Sequence, residues 1–162
     1  MNLILWRHAD AEDAAPGKPD AARALTAQGE KQAQRMAAWL GKRLSGEVLI
    51  LVSPAERAQQ TARSLARRFE TSHEVGTAAE PQSALKAAGW PDGEGTVVIV
   101  GHQPTLGQAA ALALTGRPAE WSVKKGAIWW IESRGRGEAG VRAVIAPDML
   151  SSERREARGV RR

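Results

Sequence analysis

The sequence has no cysteine and no tyrosine, and phenylalanine occurs once. Without cysteine, disulfide bonds and thiolate metal sites are excluded. The longest purely apolar runs, such as residues 97–100 and 109–114, fall far below the roughly 20 residues that cross a bilayer. The first residues lack both a basic leader and a small-residue cleavage site, so we expect no export signal, no membrane contact and a cytoplasmic location.

The residues that are present are sufficient for one globular core. The chain has 162 residues, of which 43% are hydrophobic. A folded chain of this length buries roughly 70% of the surface that its unfolded form exposes, so it needs neither disulfides nor a structural metal. We predict a single domain over residues 1–150, and we expect a monomer.

The positive charge of the chain is concentrated at its C-terminal end. Lys plus Arg number 23 and Asp plus Glu number 18, which gives 23 − 18 = +5. Residues 151–162 hold five Arg and two Glu and supply +3 of that total, so the body is near +2. Nucleic-acid binding favours basic residues spread over a folded face. We therefore expect no nucleic-acid partner and predict that this Arg-rich tail is flexible, with anion binding by the tail as a minor alternative.

Strand patterns alternate with helix patterns along the chain. Short apolar, β-branched runs predict buried strands at residues 2–6, 47–52 and 96–100. Helices are predicted over residues 27–44, 54–69 and 104–116, and a terminal hairpin over residues 126–131 and 140–145. This alternation predicts an α/β fold with three α/β/α layers and a mostly parallel central sheet.

Polar and charged side chains follow each of the three predicted strands: Arg7 and His8 after the first, the segment 53–57 with Arg57 after the second, and His102 after the third. Because ligands bind at the carboxyl ends of strands in open α/β sheets, we expect these side chains to share one pocket. Ser53 is interpreted as a helix N-cap rather than as a nucleophile. Two guanidinium groups beside two imidazoles favour a dianionic tetrahedral ligand, so the predicted ligand is a phosphoryl group.

Such a pocket can also perform phosphoryl transfer. A neutral imidazole is a competent nucleophile, and the reaction needs little beyond in-line positioning and stabilisation of charge on the oxygens. His8 is the predicted phosphoryl acceptor. Arg7, Arg57 and a protonated His102 are predicted to hold the phosphoryl oxygens, and no metal or other cofactor is required.

The order and spacing of these residues resemble those of a known family. The run Arg7-His8-Ala9 resembles the Arg-His-Gly signature of the histidine phosphatase superfamily, whose fold is phosphoglycerate mutase-like. The other matching motifs are Leu25-Thr26 with Gly29, Ser53-Pro54 with Arg57 and Gln60-Thr61-Ala62, and Gly101-His102. The resemblance implies that His8 is the phosphorylated nucleophile and that Arg7, Arg57 and His102 bind the phosphate. Ala9 departs from the commoner glycine.

The length of one segment points to a branch of this family. Larger members carry a long insertion that roofs the site, whereas residues 70–95 here number only 26. The chain resembles the small SixA-type phosphohistidine phosphatases, which implies an open site without a large lid. An open pocket suits a phosphorylated side chain on a partner protein, such as a histidine phosphotransfer domain. The alternatives are a phosphatase of small phosphate esters and a phosphate-binding module without catalysis.

The general acid is the least determined part of the predicted site. Glu80, which precedes Pro81 in a predicted loop, lies about where the family places its acidic residue, and Asp10 is the rival candidate. A protonated imidazole is a good leaving group, so a phosphoramidate substrate lowers the demand for a strong acid. Arg23 lies in a loop that could border the pocket and is a further candidate for substrate binding.

Overall fold

The structure is a computed structural model that describes residues 1–150, so the predicted tail lies outside the described residues. Its six-stranded sheet has the order β3-β2-β4-β1-β5-β6. The elements are β1 (Asn2–Arg7), α1 (Ala27–Gly41), β2 (Val48–Val52), α2 (Glu56–Arg63), β3 (Glu70–Thr71), α3 (Pro81–Ala88), β4 (Thr96–Gly101), α4 (Thr105–Thr115), β5 (Ile128–Gly135) and β6 (Glu138–Ile145). Strands β1 to β4 pair in parallel, and β5 and β6 add an antiparallel hairpin. The mostly parallel α/β sheet is confirmed.

Helices cover both faces of the sheet because side chains of successive strand residues point to opposite faces. One face packs against α1 and α2 in a buried cluster that includes Ile4, Trp6, Met36, Leu40 and Val98. The opposite face packs against α3 and α4 in a cluster that includes Leu3, Leu5, Leu85, Ile99 and Leu106. The predicted three layers are therefore present. Among residues 1–150, no helix is long and apolar enough to span a bilayer.

Helix α1 begins as the sequence predicts. The hydroxyl of Thr26 accepts a hydrogen bond from the backbone N–H of Gly29 at 3.0 Å, which makes Thr26 the N-cap. A Cβ on Gly29 would overlap the carbonyl of Asp10, so glycine lets the first turn of α1 approach the loop that follows β1. This contact fixes α1 beside the loop that carries His8.

Helix α2 is shorter than predicted and has a different cap. It ends at Arg63 rather than near residue 69, and Ala66 then adopts a left-handed φ of 54°. The chain leaves the helix there, so that Phe69 packs on the core and the following two residues pair with β2. The N-cap is Ala55, so the prediction that Ser53 is the N-cap is wrong. The Ser53 hydroxyl accepts from the backbone N–H of Ala55 at 3.2 Å, before the helix begins, and lies 2.7 Å from Nε2 of His102.

The segment between α2 and β4 contains β3 and α3, two elements that the sequence analysis did not assign. The strand β3 consists of two residues that pair with β2, and α3 packs against α4 and β4. The segment therefore extends the sheet and its helical layer. Its length of 26 residues predicts no large lid over the carboxyl ends of the strands, and the described segment forms none.

Candidate active site

Three neighbouring parallel strands end at one level and form the floor of a pocket. Trp6 of β1 and Val52 of β2 are both in register with Val100 of β4. Two further backbone hydrogen bonds continue this ladder, from His8 N–H to the carbonyl of Gly101 at 3.0 Å and from Ser53 N–H to the carbonyl of Val100 at 3.0 Å. The loops that follow the strands are thereby held side by side.

The pocket has a volume of about 280 Å³. Its lining residues are Arg7, His8, Ala11, Asp13, Arg23, Arg57, Thr77, His102, Gln103 and Lys125. All four residues of the predicted phosphate site, together with Arg23, are brought together here. Four cationic side chains face one carboxylate among these residues, which favours an anionic ligand.

The ring of His8 is held in one tautomer. Its Nδ1 lies 2.7 Å from the carbonyl oxygen of Ala9, which can only accept, so Nδ1 carries the proton. In the neutral ring the lone pair is then on Nε2. Burial lowers the pKa of His8 to about 4, and the nearby Arg57 and Arg7 charges add to this lowering. His8 is thus neutral at neutral pH.

Hydrogen bonds also fix the backbone around His8. The N–H of Ala9 donates to the hydroxyl of Thr61 at 3.1 Å, and that hydroxyl donates to the carbonyl of Arg57 at 2.8 Å. Thr61 is fully buried in α2. One hydroxyl therefore couples the loop that carries His8 to the helix that carries Arg57.

His102 faces His8 across the pocket with a ring-centroid distance of 5.2 Å. Its Nε2 lies 2.7 Å from the hydroxyl oxygen of Ser53, and its Nδ1 is buried without a partner. Burial, and then the charges of His8 and Arg57, lower the pKa of His102 to about 3. Burial among cations therefore favours the neutral ring of His102 in this arrangement, and the protonated His102 expected with a phosphoryl group stays a prediction. A bound phosphoryl dianion would raise that pKa.

Arg57 is nearly buried, with 4% of its surface exposed. Its two terminal nitrogens donate to the backbone carbonyl and to the carboxylate of Asp20 at 2.9 and 3.0 Å, and its Nε has no partner. The other carboxylate oxygen of Asp20 accepts from Nε of Arg23 at 3.0 Å. Asp20 thereby links both arginines, and the hydrogen bond from Arg57 lowers the pKa of Asp20.

Arg7 reaches across to the segment before β5. Its guanidinium donates to the carbonyl of Val123 at 2.8 Å, while its Nε is buried without a partner. Partial burial lowers the pKa of Arg7 below its ordinary value. A half-buried guanidinium whose buried Nε has no partner favours a ligand that brings acceptors, such as the oxygens of a phosphoryl group.

Neither carboxylate considered as the general acid lines the pocket. Glu80 is exposed at the N-terminus of α3, since the Thr105 hydroxyl binds the carbonyl of Ala79 at 2.7 Å and the chain turns into the helix there. Asp10 accepts from the Thr26 hydroxyl at 2.7 Å and from Lys125 at 3.1 Å. These contacts, that of Thr26 most strongly, lower the pKa of Asp10 and oppose a role as proton donor.

Several lining residues were not predicted as site residues, namely Ala11, Asp13, Thr77, Gln103 and Lys125. All lie in loops and belong to no recognisable motif, although Gln103 directly follows a predicted site residue and could have been included on that ground. Asp13 is the one carboxylate among the residues that line the described pocket. Within residues 1–150, no group of three or more His, Asp or Glu side chains is placed to hold a metal ion.

Comparisons with known proteins agree with this geometry. A model of the histidine phosphatase superfamily (branch 1) matches residues 3–80. An uncharacterized protein of Picosynechococcus sp. strain PCC 7002 is 36% identical over 147 residues, which cover 82% of this chain and 86% of that protein.

Two solved structures are similar over nearly the whole chain. The protein histidine phosphatase SixA, solved with tungstate, is 27% identical with a TM-score of 0.77, and the match covers 93% of this chain and all 100% of that one. A candidate SixA phosphohistidine phosphatase from Agrobacterium tumefaciens is 26% identical with a TM-score of 0.75, and the match covers 90% and 97% of the two chains. The phosphoglycerate mutase-like architecture is confirmed, and the chain belongs to the histidine phosphatase superfamily.

Proposed function

We propose that the protein hydrolyses phosphohistidine on a partner protein through a phosphorylated His8, without a metal ion. The observation that carries this proposal is the state of His8. Its Nδ1–H is bound to the carbonyl of Ala9, so the lone pair of Nε2 is available beside two guanidinium groups. This combination of a neutral imidazole and fixed cations suits the attack on a phosphoryl group.

The reaction has two balanced steps. Nε2 of His8 attacks phosphorus, and the P–N bond of the substrate breaks in line with the new bond. The partner's imidazole, which is protonated on its other ring nitrogen before the attack, leaves as the neutral ring, and phospho-His8 keeps its Nδ1–H. Water then attacks the phosphorus of phospho-His8, which releases inorganic phosphate and restores the neutral ring. Arg7 and Arg57 stabilise the charge on the three equatorial oxygens in both steps.

The scarcity of carboxylates among the residues that line the described pocket supports a phosphoramidate as the substrate. When a phosphate ester is cleaved, its alcohol part leaves as an alkoxide and needs a proton donor near the oxygen. A phosphorylated imidazole, in contrast, can leave as the neutral ring once it is protonated. Glu80 and Asp10 do not line the pocket, and Asp13 belongs to an exposed loop at its edge. Such a site favours substrates with good leaving groups.

The decisive experiment compares wild-type protein with His8→Ala on a phosphohistidine protein and on p-nitrophenyl phosphate. We expect wild type to release phosphate from the protein substrate and His8→Ala to release none above background. The matched control is His73→Ala, because His73 is exposed and lies outside the pocket. A strong preference for p-nitrophenyl phosphate would favour the phosphatase of small esters. Absence of phosphate release with retained binding of the phosphoprotein would favour the non-catalytic module.

A further inference from the structure

A second concavity adjoins the phosphate pocket. Its volume is about 390 Å³, and it shares Arg7 and Lys125 with that pocket. The remaining lining residues are Gln32, Ser122, Lys124, Ala146, Pro147 and Asp148. We call this concavity the lysine groove. A substrate whose phosphoryl group lies on His8 could therefore extend into the groove without leaving the protein surface.

The segment 121–127 forms one wall of the lysine groove and is held by hydrogen bonds at both ends. The side-chain N–H of Gln103 donates to the carbonyl of Trp121 at 2.8 Å. The guanidinium of Arg7 donates to the carbonyl of Val123 at 2.8 Å, and the backbone N–H of Arg7 donates to the carbonyl of Ala127 at 3.1 Å. The two lysines between these anchors are held at a defined place beside the catalytic residues, although their side chains extend into solvent.

Gly126 joins this segment to the loop that carries His8. Its N–H donates to the carbonyl of His8 at 3.0 Å, and its φ of +74° is a conformation that other residues rarely adopt. A Cβ at this position would lie 2.9 Å from the Cγ of Pro147, on the opposite wall of the groove. The shape of the groove thus depends on a glycine that packs against both walls.

The charge of the lysine groove is positive. Lys124 is exposed and makes no ion pair with any residue that the structure describes. Lys125 is 53% exposed and pairs with Asp10. Asp148 is the one acidic side chain among the residues that line the described groove, against Arg7 and the two lysines. This balance complements an acidic surface and disfavours a basic one.

We propose that the lysine groove binds an acidic segment of the phosphorylated partner, next to the residue that carries the phosphoryl group. Two observations support this occupant: the continuity of the groove with the pocket through Arg7 and Lys125, and its charge. The proposal rests on the proposed phosphatase function. It assigns Lys124 to the selection of the partner protein and gives it no part in the chemistry at phosphorus.

The test is the charge reversal Lys124→Glu, measured against two substrates that share the same bond. One is a phosphohistidine protein with acidic residues around its phosphorylated side chain, and the other is phosphoramidate itself, which is too small to extend along the groove. We expect kcat/KM for the phosphoprotein to fall about tenfold at low salt, mainly through KM, because a rim charge acts mostly on association. For phosphoramidate we expect kcat/KM to stay within about twofold, as suits a change away from the reacting group.

The matched control is Lys86→Glu, which makes the same change of net charge at an exposed position of α3 outside both concavities. We expect Lys86→Glu to behave like wild type with both substrates. The salt dependence supplies a second measurement: kcat/KM of wild type for the phosphoprotein should fall with ionic strength more steeply than that of Lys124→Glu. For the phosphoprotein, kcat/KM of the neutral variant Lys124→Gln should lie between the values of wild type and Lys124→Glu.

Each outcome separates this proposal from the phosphatase function on which it rests. If wild type cleaves neither substrate, the function itself is wrong. If wild type cleaves both and Lys124→Glu cleaves the phosphoprotein at the wild-type rate, the function stands and the groove proposal is overturned. An equal loss on both substrates, or an equal loss in Lys86→Glu, would also overturn it, because the effect would then come from the pocket or from net charge.

Discussion

The floor and the rim of the pocket are built differently. The floor consists of Arg7, His8, Arg57 and His102, of which His8, Arg57 and His102 are 7%, 4% and 4% exposed. The rim consists of the lining residues Asp13, Arg23 and Lys125, together with Asp20, which does not line the pocket itself but binds Arg23. These residues are more exposed than the floor, with 23% for the side chain of Arg23 and 57% for that of Asp20. Floor residues are held by strand ends and by α2, whereas rim residues depend on contacts between loops.

This difference divides the work of the site. The groups that we propose to act on phosphorus lie on rigid elements, which suits that role because a displacement of about 1 Å can cost roughly 100-fold in rate. Groups that meet the remainder of the substrate lie on loops, where exposed charges guide association and selection. Under the proposed function, we expect the floor to determine which bond is broken and the rim to determine which molecule presents it.

The largest expected effect comes from the floor. Arg57→Ala should lower kcat/KM for a phosphohistidine protein by at least about 100-fold, because it removes a buried cation that stabilises transition-state charge. Arg57→Lys should recover only a small part, since an ammonium lacks the paired donors that hold Asp20. Steady-state phosphate release measures both. Arg63→Ala, on the exposed side of the same helix, is the control, and a loss below about tenfold for Arg57→Ala would break the division between floor and rim.

Sequence reasoning predicted the floor because its residues follow strand patterns that the sequence displays. Arg7 and His8 come directly after the apolar run 2–6, and His102 follows another such run. It misassigned Ser53, since a serine before a helix can cap it by local geometry alone, whereas its contact with His102 joins residues 49 positions apart. The rim residues Asp13 and Lys125 could not be predicted, because their place depends on how two loops fold over the strand ends.

A similar limit explains the errors in the elements. Helix α2 was extended too far because its apolar spacing continues to Phe69, while the left-handed turn at Ala66 is imposed by the packing of that aromatic ring and by the pairing of β3. Helix α3 was not assigned because its eight residues are few for a periodic pattern. The sheet topology, in contrast, follows from long apolar runs whose burial leaves few alternatives.

The next largest effect concerns the stability of the folded protein at low pH, to which the two histidines of the floor contribute. The pKa values of His8 and His102 are lowered to about 4 and about 3 in the folded protein, from an ordinary value of 6.5. As the pH falls below 6.5, the two histidine rings bind protons in the unfolded chain but stay neutral in the folded chain. The free energy of unfolding therefore decreases until the rings of the folded chain also bind protons. Above that pH these two rings cause no change. Each pKa unit corresponds to about 1.4 kcal/mol, so between pH 6.5 and about pH 5 the two rings together lower the free energy of unfolding by roughly 4 kcal/mol.

Urea unfolding at intervals between about pH 7 and pH 5 measures this loss largely free of the carboxylates, whose ordinary pKa values lie near 4. We expect His102→Gln to reduce the slope of the free energy of unfolding against pH. His73→Gln, which changes the exposed histidine, should leave the wild-type slope intact. Equal slopes in wild type and His102→Gln would mean that His102 titrates as an ordinary histidine, and the floor would then be less secluded than its burial implies.

The smallest effect tests whether the rim acts on the floor through Asp20. This carboxylate binds Arg57 and Arg23 together, so we expect it to be a positioning residue that orients Arg57 toward the phosphoryl group. Asp20→Ala should lower kcat/KM about tenfold, and Asp20→Asn about threefold, because the amide oxygen can still accept from Arg57. Asp92→Ala, which removes an exposed carboxylate outside the pocket, is the control.

Tungstate affinity, measured by competition, separates the two roles of Asp20 that the geometry allows. A positioning role requires weaker tungstate binding by Asp20→Ala, whereas tighter binding would mean that the carboxylate competes with the anion for Arg57.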